Sequence, residues 1–427
     1  MNKTDFINKL NAGFFDEKLS VLYGRANQAV ERQRERYKNA VGRFSELFPK
    51  YEDIHVFSAP GRTEIGGNHT DHQHGCALAA AVNLDIIAVV AFREERTIHF
   101  FSEGYGMIKA DLDDLSVHEE EYGTSKALIC GIAARFEKTG VSIGGFDAYS
   151  VSDVLGGSGL SSSAAFETLV GSIIDIHYND CRAGELEIAK TGQFAENVYF
   201  GKGSGLLDQT VCSVGGFVFI DFEDTENPRV EKYNFDFEAA GYNLCVTDTK
   251  GSHSDLTGDY ISVPGEMKRV AEFFGKSVLR EVDEKQFFDS LPLLRGKMTD
   301  REILRAAHFF GENKRAVAEA EALDNNDIER FFELYRLSAR SSAEYLQNLY
   351  SVSKPLEQGI PLAIMASRRV LGENAPVRVH GGGFAGTIQA FVPLEKTEEY
   401  VEKMNTLFGD GSCYVLRVRP VGGIELK

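Results

Sequence analysis

Residues able to hold anions and move protons gather in four stretches of this 427-residue chain. The densest, Val154 to Ala165, reads VLGGSGLSSSAA and opens into a helical pattern whose apolar side carries Phe166, Leu169, Val170, Ile173 and Ile174. Glycines let backbone N–H groups approach an anion, a helix N-terminus adds unpaired donors and positive dipole, and serine hydroxyls bind phosphate oxygen or a hard cation. Gly156, Gly157, Ser158, Gly159, Leu160, Ser161, Ser162 and Ser163 therefore form a candidate phosphate cradle. A plain capped turn needs only one Ser and one Gly. Two phosphate signatures are excluded: Val270 stands where a Walker loop ending at Gly275-Lys276-Ser277 needs its first glycine, and Ser162 fills the last glycine position of a dinucleotide fingerprint.

The second stretch, Ala59 to Gly75 (APGRTEIGGNHTDHQHG), brings Arg62 together with acids and the imidazoles of His69, His72 and His74. Such a set suits a pocket for a small polar ligand, although a transition-metal cluster of His69, Asp71, His72 and His74, or a solvated turn, uses the same residue types. In the third, Gln193 to Gln209, a helix carrying Glu196 runs to a glycine-rich loop presenting Asp208, a position equally natural for a turn former. The fourth, Val377 to Thr387 (VRVHGGGFAGT), is a strand followed by glycines and says little alone.

Period-two runs predict strands at Ile54–Ser58, Ile86–Phe92, Thr97–Ser102, Phe146–Val154 and Phe217–Phe222, with a loop from Ala59-Pro60-Gly61 onward. Helical spacing marks Asp16–Phe48, Lys126–Lys138 and Ala164–His177. The charged, turn-prone segment Asp221–Pro228 divides the chain, after which strands are expected at Asn243–Asp248, Val377–His380, Thr387–Pro393 and Tyr414–Pro420, and helices over Arg301–Leu349 and Pro361–Leu371. The expected organisation is a helical extension over 1–48, one α+β domain over 49–225 and a second over 226–427.

Composition narrows the partners. Apolar residues at 43% support real cores, and a formal charge of −18 repels nucleic acid and anionic lipid. The basic run Arg25–Arg43 is interleaved with Glu31 and Glu35, as on a solvated helix face. Six widely spaced cysteines form no C-x-x-C pair, which favours reduced, buried thiols in the cytoplasm, and neither a leader nor a membrane span is legible.

Taken in order, the four stretches resemble the GHMP kinase superfamily, and within it the galactokinase family. Ala59-Pro-Gly-Arg62 with His69-Thr-Asp71 is similar to the sugar signature, Gly159-Leu-Ser-Ser-Ser-Ala164 to the ATP loop, Gly205-Leu-Leu-Asp-Gln209 to the catalytic loop, and Gly381-Gly-Gly-Phe-Ala-Gly386 to the C-terminal motif. A fifth segment, His253 to Tyr260, is similar to the one whose tyrosine lines the sugar pocket. The resemblance implies a two-domain α+β fold, with an N-terminal domain like ribosomal protein S5 domain 2, a ferredoxin-like C-terminal domain, and the active site between them. It implies an ATP-dependent sugar 1-kinase, a monomer working on a small sugar with Mg²⁺. Asp208 is implied as general base or electrostatic orienter, with Arg62 holding its charge state. Ser163 and Glu196 are implied as Mg²⁺ ligands, and Asn68, His69, Asp71 and Tyr260 as sugar partners.

Two positions depart from the family. Where its signature reads G-E-H-x-D-Y, this chain has Asn68 and His72, so an amide replaces a carboxylate and an imidazole a phenol. Asn68 and His72 are therefore expected to tune which sugar is accepted: galactose first, with another hexose, an amino sugar or a pentose as the alternative. A non-catalytic sugar sensor of the same family is the remaining alternative, and the complete run Ser161-Ser-Ser-Ala-Ala165 weighs against it.

Overall fold

A computed structural model describes residues 1–154, 159–251 and 256–427. Helices α1 (Lys3–Asn11), α2 (Asp16–Tyr23) and α3 (Asn27–Leu47) precede strands β1 (His55–Gly66), β2 (Cys76–Arg93), β3 (Thr97–Ser102) and β4 (Gly106–Asp111). Then come α4 (Ser125–Lys138), β5 (Gly145–Ser152), α5 (Ser162–Tyr178), α6 (Glu185–Phe194), α7 (Leu207–Val214), β6 (Phe217–Asp221) and β7 (Arg229–Tyr233). The second half runs β8 (Tyr242–Asp248), α8 (Thr257–Phe273), α9 (Glu284–Asp289), α10 (Leu291–Arg295), α11 (Asp300–Asp324), α12 (Ile328–Ser341), α13 (Gly359–Leu371), β9 (Val377–Val379), β10 (Thr387–Pro393), α14 (Thr397–Phe408), β11 (Cys413–Leu416) and β12 (Ile424–Glu425).

The first sheet has the order β12-β1-β2-β5-β3-β4, and β6 and β7 extend it beside the first half of β2. Among the described residues only β3 and β5 pair in parallel. Both faces of this sheet are covered, which is why Ile86 to Phe92 reads as a continuous apolar run. Val56, Ile87, Val89 and Ala91 point to a core shared with Phe6, Leu19, Tyr37 and Phe44 of the N-terminal helices. Their neighbours Phe57, Ala88 and Val90 point to the opposite core, shared with Leu169, Val170 and Ile173 of α5. The first 48 residues are thus a structural layer of the sheet. They are tied in at Asp85, which is fully buried and receives hydrogen bonds from Tyr23, Ser58, Arg36 and Arg419.

The second sheet, β11-β8-β10-β9, is antiparallel throughout. Numbered by chain order within this unit, its strands lie 4-1-3-2 with helices in both crossovers, the split β-α-β of ferredoxin-like domains.

Several expectations change. Residues 222–228 form the turn of the β6–β7 hairpin, which carries the first sheet on to Tyr233. The chain returns to that sheet at its end, where β12 pairs with β1 and the Leu426 amide donates to Val56. The strand expected to stop at Ser58 runs through Pro60 and Gly61 to Gly66, because β2 continues alongside it and register shifts at Pro60/Arg62 and Glu64/Gly66 absorb the misfit. All six cysteines are unpaired, but Cys181 is exposed, since it follows α5 in a tight surface turn at φ 58°. No helix among the described residues is long and apolar enough to cross a membrane.

Candidate active site

The N-terminal end of α5 docks against β1. Gly61 permits the approach, since a Cβ there would lie 2.7 Å from the Leu160 carbonyl, and the Arg62 amide donates to that same carbonyl at 3.0 Å. Gly159 is left-handed at φ 74°, and Ser161 caps α5 at φ 55° without a side-chain cap bond. The Ser161 hydroxyl donates instead to Asp208, so the N-cap side chain makes no cap bond to the first turn of α5. Gly156, Gly157 and Ser158 lie outside the described residues, as do His253 and the two residues after it.

Asp208 stands in the first turn of α7 rather than on the preceding loop. Arg62 grips it with both prongs: Nε donates to Oδ1 and Nη2 to Oδ2, each at 2.7 Å, while Nη1 donates to the Gly159 carbonyl at 2.5 Å. Burial works to raise the Asp208 carboxyl, yet the Arg62 charge and the bonds from Arg62 and Ser161 win and hold it below the usual carboxylate range. Its side chain keeps 34% exposure, so an ionised oxygen remains open to a partner. Asp71 reaches the same loop from the other side: its Oδ2 lies 3.2 Å from where a Cβ on Gly205 would sit.

Behind the helix end, a five-residue π-helical turn, Ala195–Tyr199, carries Glu196 inward. Glu196 Oε1 accepts from the Ser163 hydroxyl at 3.3 Å and from Lys202 Nζ at 2.8 Å, and Oε2 accepts from Gln209 Nε2 at 2.9 Å. Gln209 Nε2 also donates to Glu167 Oε2 at 3.0 Å. Burial, then the Glu196 charge, pushes the Glu167 carboxyl well above its ordinary range.

Across the cleft, the sugar-signature residues attach to the triple glycine of the second domain. Asn68 Nδ2 donates to the Gly381 carbonyl at 2.7 Å, His69 Nε2 to that of Gly382 at 3.0 Å, and the Tyr260 hydroxyl to that of Gly383 at 2.9 Å. Gly381 and Gly383 are left-handed, at φ 64° and 78°, which is how short chain turns successive carbonyls toward one loop.

Asn68 is tied to more than the Gly381 carbonyl. It is fully buried, its amide also donates to Glu64 Oε1 at 2.9 Å, and its own Oδ1 accepts from Asn348 Nδ2 at 2.9 Å. Both of its N–H groups and its carbonyl are therefore spent on protein partners, leaving a linchpin of the loop. His308 supports the same residue from below: Nε2 donates to the Asn68 backbone carbonyl at 2.9 Å and Nδ1 faces the Ser341 hydroxyl at 2.9 Å. Burial lowers His308 to about 4, and likewise His72 to about 4. The His72 ring nitrogens have no hydrogen-bond partner among the described residues. No group of three or more His, Cys, Asp and Glu side chains among the described residues is arranged to hold a metal, so the His69–His74 cluster gains no support as a chelate.

Sequence reasoning missed three groups. His380 packs within 3.1 Å of a Cβ built on Gly159 and joins Thr63 (2.9 Å) to Thr387 (2.8 Å). Fully buried Arg378 donates to Glu64 at 2.7 Å and Ser338 at 2.7 Å, crossing from β9 to β1. Gln209, beside Asp208, joins two carboxyl groups. Alternating polarity at Arg378 and His380 within a short apolar strand was the available signal.

Comparison with known proteins agrees with this geometry. Residues 42–92 match the galactokinase galactose-binding signature and residues 127–216 the GHMP kinase N-terminal domain. A galactokinase of Lactobacillus helveticus is 28% identical over 389 residues, covering 86% of this chain and 95% of that one. One of Actinobacillus pleuropneumoniae is 29% identical over 366 residues, covering 84% and 90%. In fold, the chain is similar to Lactococcus lactis galactokinase complexed with galactose, with TM-score 0.76 and 22% identity over 90% of this chain and 98% of that one. Mevalonate kinase of Methanococcus jannaschii is more distant, with TM-score 0.61 and 16% identity over 85% and 98%. Both signatures fall on the segments that build the cleft: the chain carries a galactokinase galactose-binding signature and a GHMP kinase N-terminal domain, and it is similar to curated galactokinases along most of its length.

Proposed function

We propose that this protein transfers the γ-phosphoryl group of ATP to the C1 hydroxyl of galactose, giving galactose 1-phosphate and ADP. The observation that carries the reading is the Arg62–Asp208 fork at the start of α5, with Asp71 facing the Gly205 loop that leads to Asp208. Phosphoryl transfer demands in-line placement and charge neutralisation more than covalent help, and the helix terminus, Arg62 and the serine hydroxyls offer that neutralisation. In the step itself the C1 oxygen bonds to the γ-phosphorus, the bond from that phosphorus to the β-bridging oxygen breaks, and the hydroxyl proton leaves late. Asp208, held ionised by Arg62, is a weak base suited to orienting the hydroxyl and taking its proton once the bond to phosphorus has formed.

Mg²⁺ fits the pair Glu196 and Ser163. Their carboxylate and hydroxyl oxygens are the hard donors that ion prefers, and the Lys202 ammonium already sits as a cation on Glu196 Oε1. When bound, the metal supplies charge neutralisation for the phosphates. His69, Asp71 and Tyr260 hold the sugar, with Asn68 fixing the loop that bears the first two. Unpaired cysteines suit a reducing compartment such as the cytoplasm.

The test is ADP release from the purified protein across galactose, glucose, talose, N-acetylgalactosamine and pentoses. Galactose is expected to give the highest kcat/KM. Preference for another sugar overturns the substrate, and no sugar-dependent ADP supports a sensor.

A further inference from the structure

We propose that Gln209 and Glu167 are positioning residues for the Glu196 carboxylate, fixing it so that its other oxygen faces a divalent cation at the start of α5. The inference rests on the reading of Glu196 and Ser163 as the cation site. Gln209 Nε2 is the hinge of the arrangement, with one hydrogen for Glu196 Oε2 at 2.9 Å and one for Glu167 Oε2 at 3.0 Å. With both hydrogens committed, Glu196 cannot rotate about its terminal torsion without breaking a buried bond. Its Oε1 is left beside the Ser163 hydroxyl and the Lys202 ammonium.

Glu167 lies one helical turn beyond Ser163 on the same face of α5, so a single rigid helix carries both the proposed metal hydroxyl and the anchor of the amide. Gln209 follows Asp208 directly on α7. The amide thereby ties the carboxylate that faces the cation to the element that carries the reacting acid.

The arrangement is costly as plain packing. Gln209 and Glu167 are each 1% exposed, yet Gln209 Oε1 and Glu167 Oε1 have no partner among the described residues. Buried polar atoms without partners lower stability, and an apolar pair would fill the space without that cost. Orientation of Glu196 is what the amide contributes in exchange. Outer groups that hold a metal ligand in place act on metal affinity through the ligand rather than by touching the ion.

The experiment measures Mn²⁺ binding by electron paramagnetic resonance on the full chain with ADP, and galactose binding by calorimetry on the same samples. Gln209→Leu is expected to weaken Mn²⁺ binding about tenfold or more while galactose affinity holds. Glu167→Leu should weaken it in the same sense, and Glu167→Gln, which keeps a carbonyl acceptor for the Gln209 amide, should restore most of the affinity. Should Gln209→Leu fail to fold, the Glu167→Leu and Glu167→Gln pair decides. Wild-type Mn²⁺ affinity in the folded leucine variants, with affinity lost in Glu196→Ala, overturns the positioning role. Wild-type affinity in Glu196→Ala as well removes the cation site itself, and the inference with it.

Discussion

The two sides of the cleft are built on different physical terms. On the phosphoryl side, Arg62, Asp208, Ser161, Ser163 and Glu196 all come from the first sheet and its helices, and Asp208 stays partly open at 34% exposure. On the sugar side, Asn68, His69 and Tyr260 end on three successive carbonyls of the second domain, with Asn68, His308 and Asn348 sealed beneath. Charge placed by the first sheet and its helices serves the chemistry, whereas neutral hydrogen bonds from Asn68 and His69 across to the second domain hold the recognition loop. Substitutions on the first side should therefore act on turnover and metal, and those at the buried supports Asn68, His308 and Asn348 on stability and loop placement, alike for every sugar.

Acid should separate the two sides most strongly. His308 is fully buried and lowered from an ordinary 6.5 to about 4, so in the folded state it stays neutral where the unfolded chain takes up a proton. Its contribution is complete above pH 6.5 and is lost as pH falls toward 4, a penalty of roughly 3 kcal/mol at 1.36 kcal/mol for each pH unit. Asp208 works at the acid extreme: its folded value is depressed, so its stabilisation holds above the ordinary carboxylate range and fades only at lower pH. Melting temperature measured from pH 7 to pH 4 should fall early, and less so in His308→Gln. A flat profile over that interval contradicts the difference between the sides.

Next in size is Asp208→Asn, expected to lower kcat by about a hundredfold or more with galactose still bound, since the amide keeps the shape but loses charge and basicity. Turnover near wild type removes Asp208 from the chemistry. Asn68→Ala is expected to cost about 2 kcal/mol, because Glu64, Asn348 and the Gly381 carbonyl each lose a partner in a buried setting. Urea unfolding measures that loss, and kcat/KM should shift by one common factor across galactose, glucose, talose and N-acetylgalactosamine. A change confined to one sugar returns Asn68 to the role of sugar reader. Smallest, Ser163→Ala should raise the Mg²⁺ needed for half-maximal activity by several-fold up to about tenfold and leave galactose KM nearly unchanged. An unaltered Mg²⁺ titration takes Ser163 out of the cation site.

The phosphoryl side was largely legible in the chain. Its residues cluster in short motifs with local rules, and the start of α5 and strands such as Thr97–Ser102 could be placed from spacing alone. The sugar side was not. Asn68 reads as a polar loop residue until Asn348, 280 positions away, and Gly381, 313 away, are seen to enclose it. Pro60 and Gly61 read as a strand end because nothing local reports that β2 continues beside them. The acidic turn at 222–228 mimics a linker for the same reason: hairpin turn and domain boundary share one composition, and only the pairing of β6 with β7 distinguishes them.

Locating the transferred phosphate tests the central claim most directly. Phosphorus NMR of the product from galactose, ATP and Mg²⁺ should show a single sugar phosphate coupled to the anomeric proton, forming with the wild-type chain and nearly absent with Asp208→Asn. Phosphate on another carbon, ADP formed with inorganic phosphate alone, or an equal yield from Asp208→Asn contradicts it.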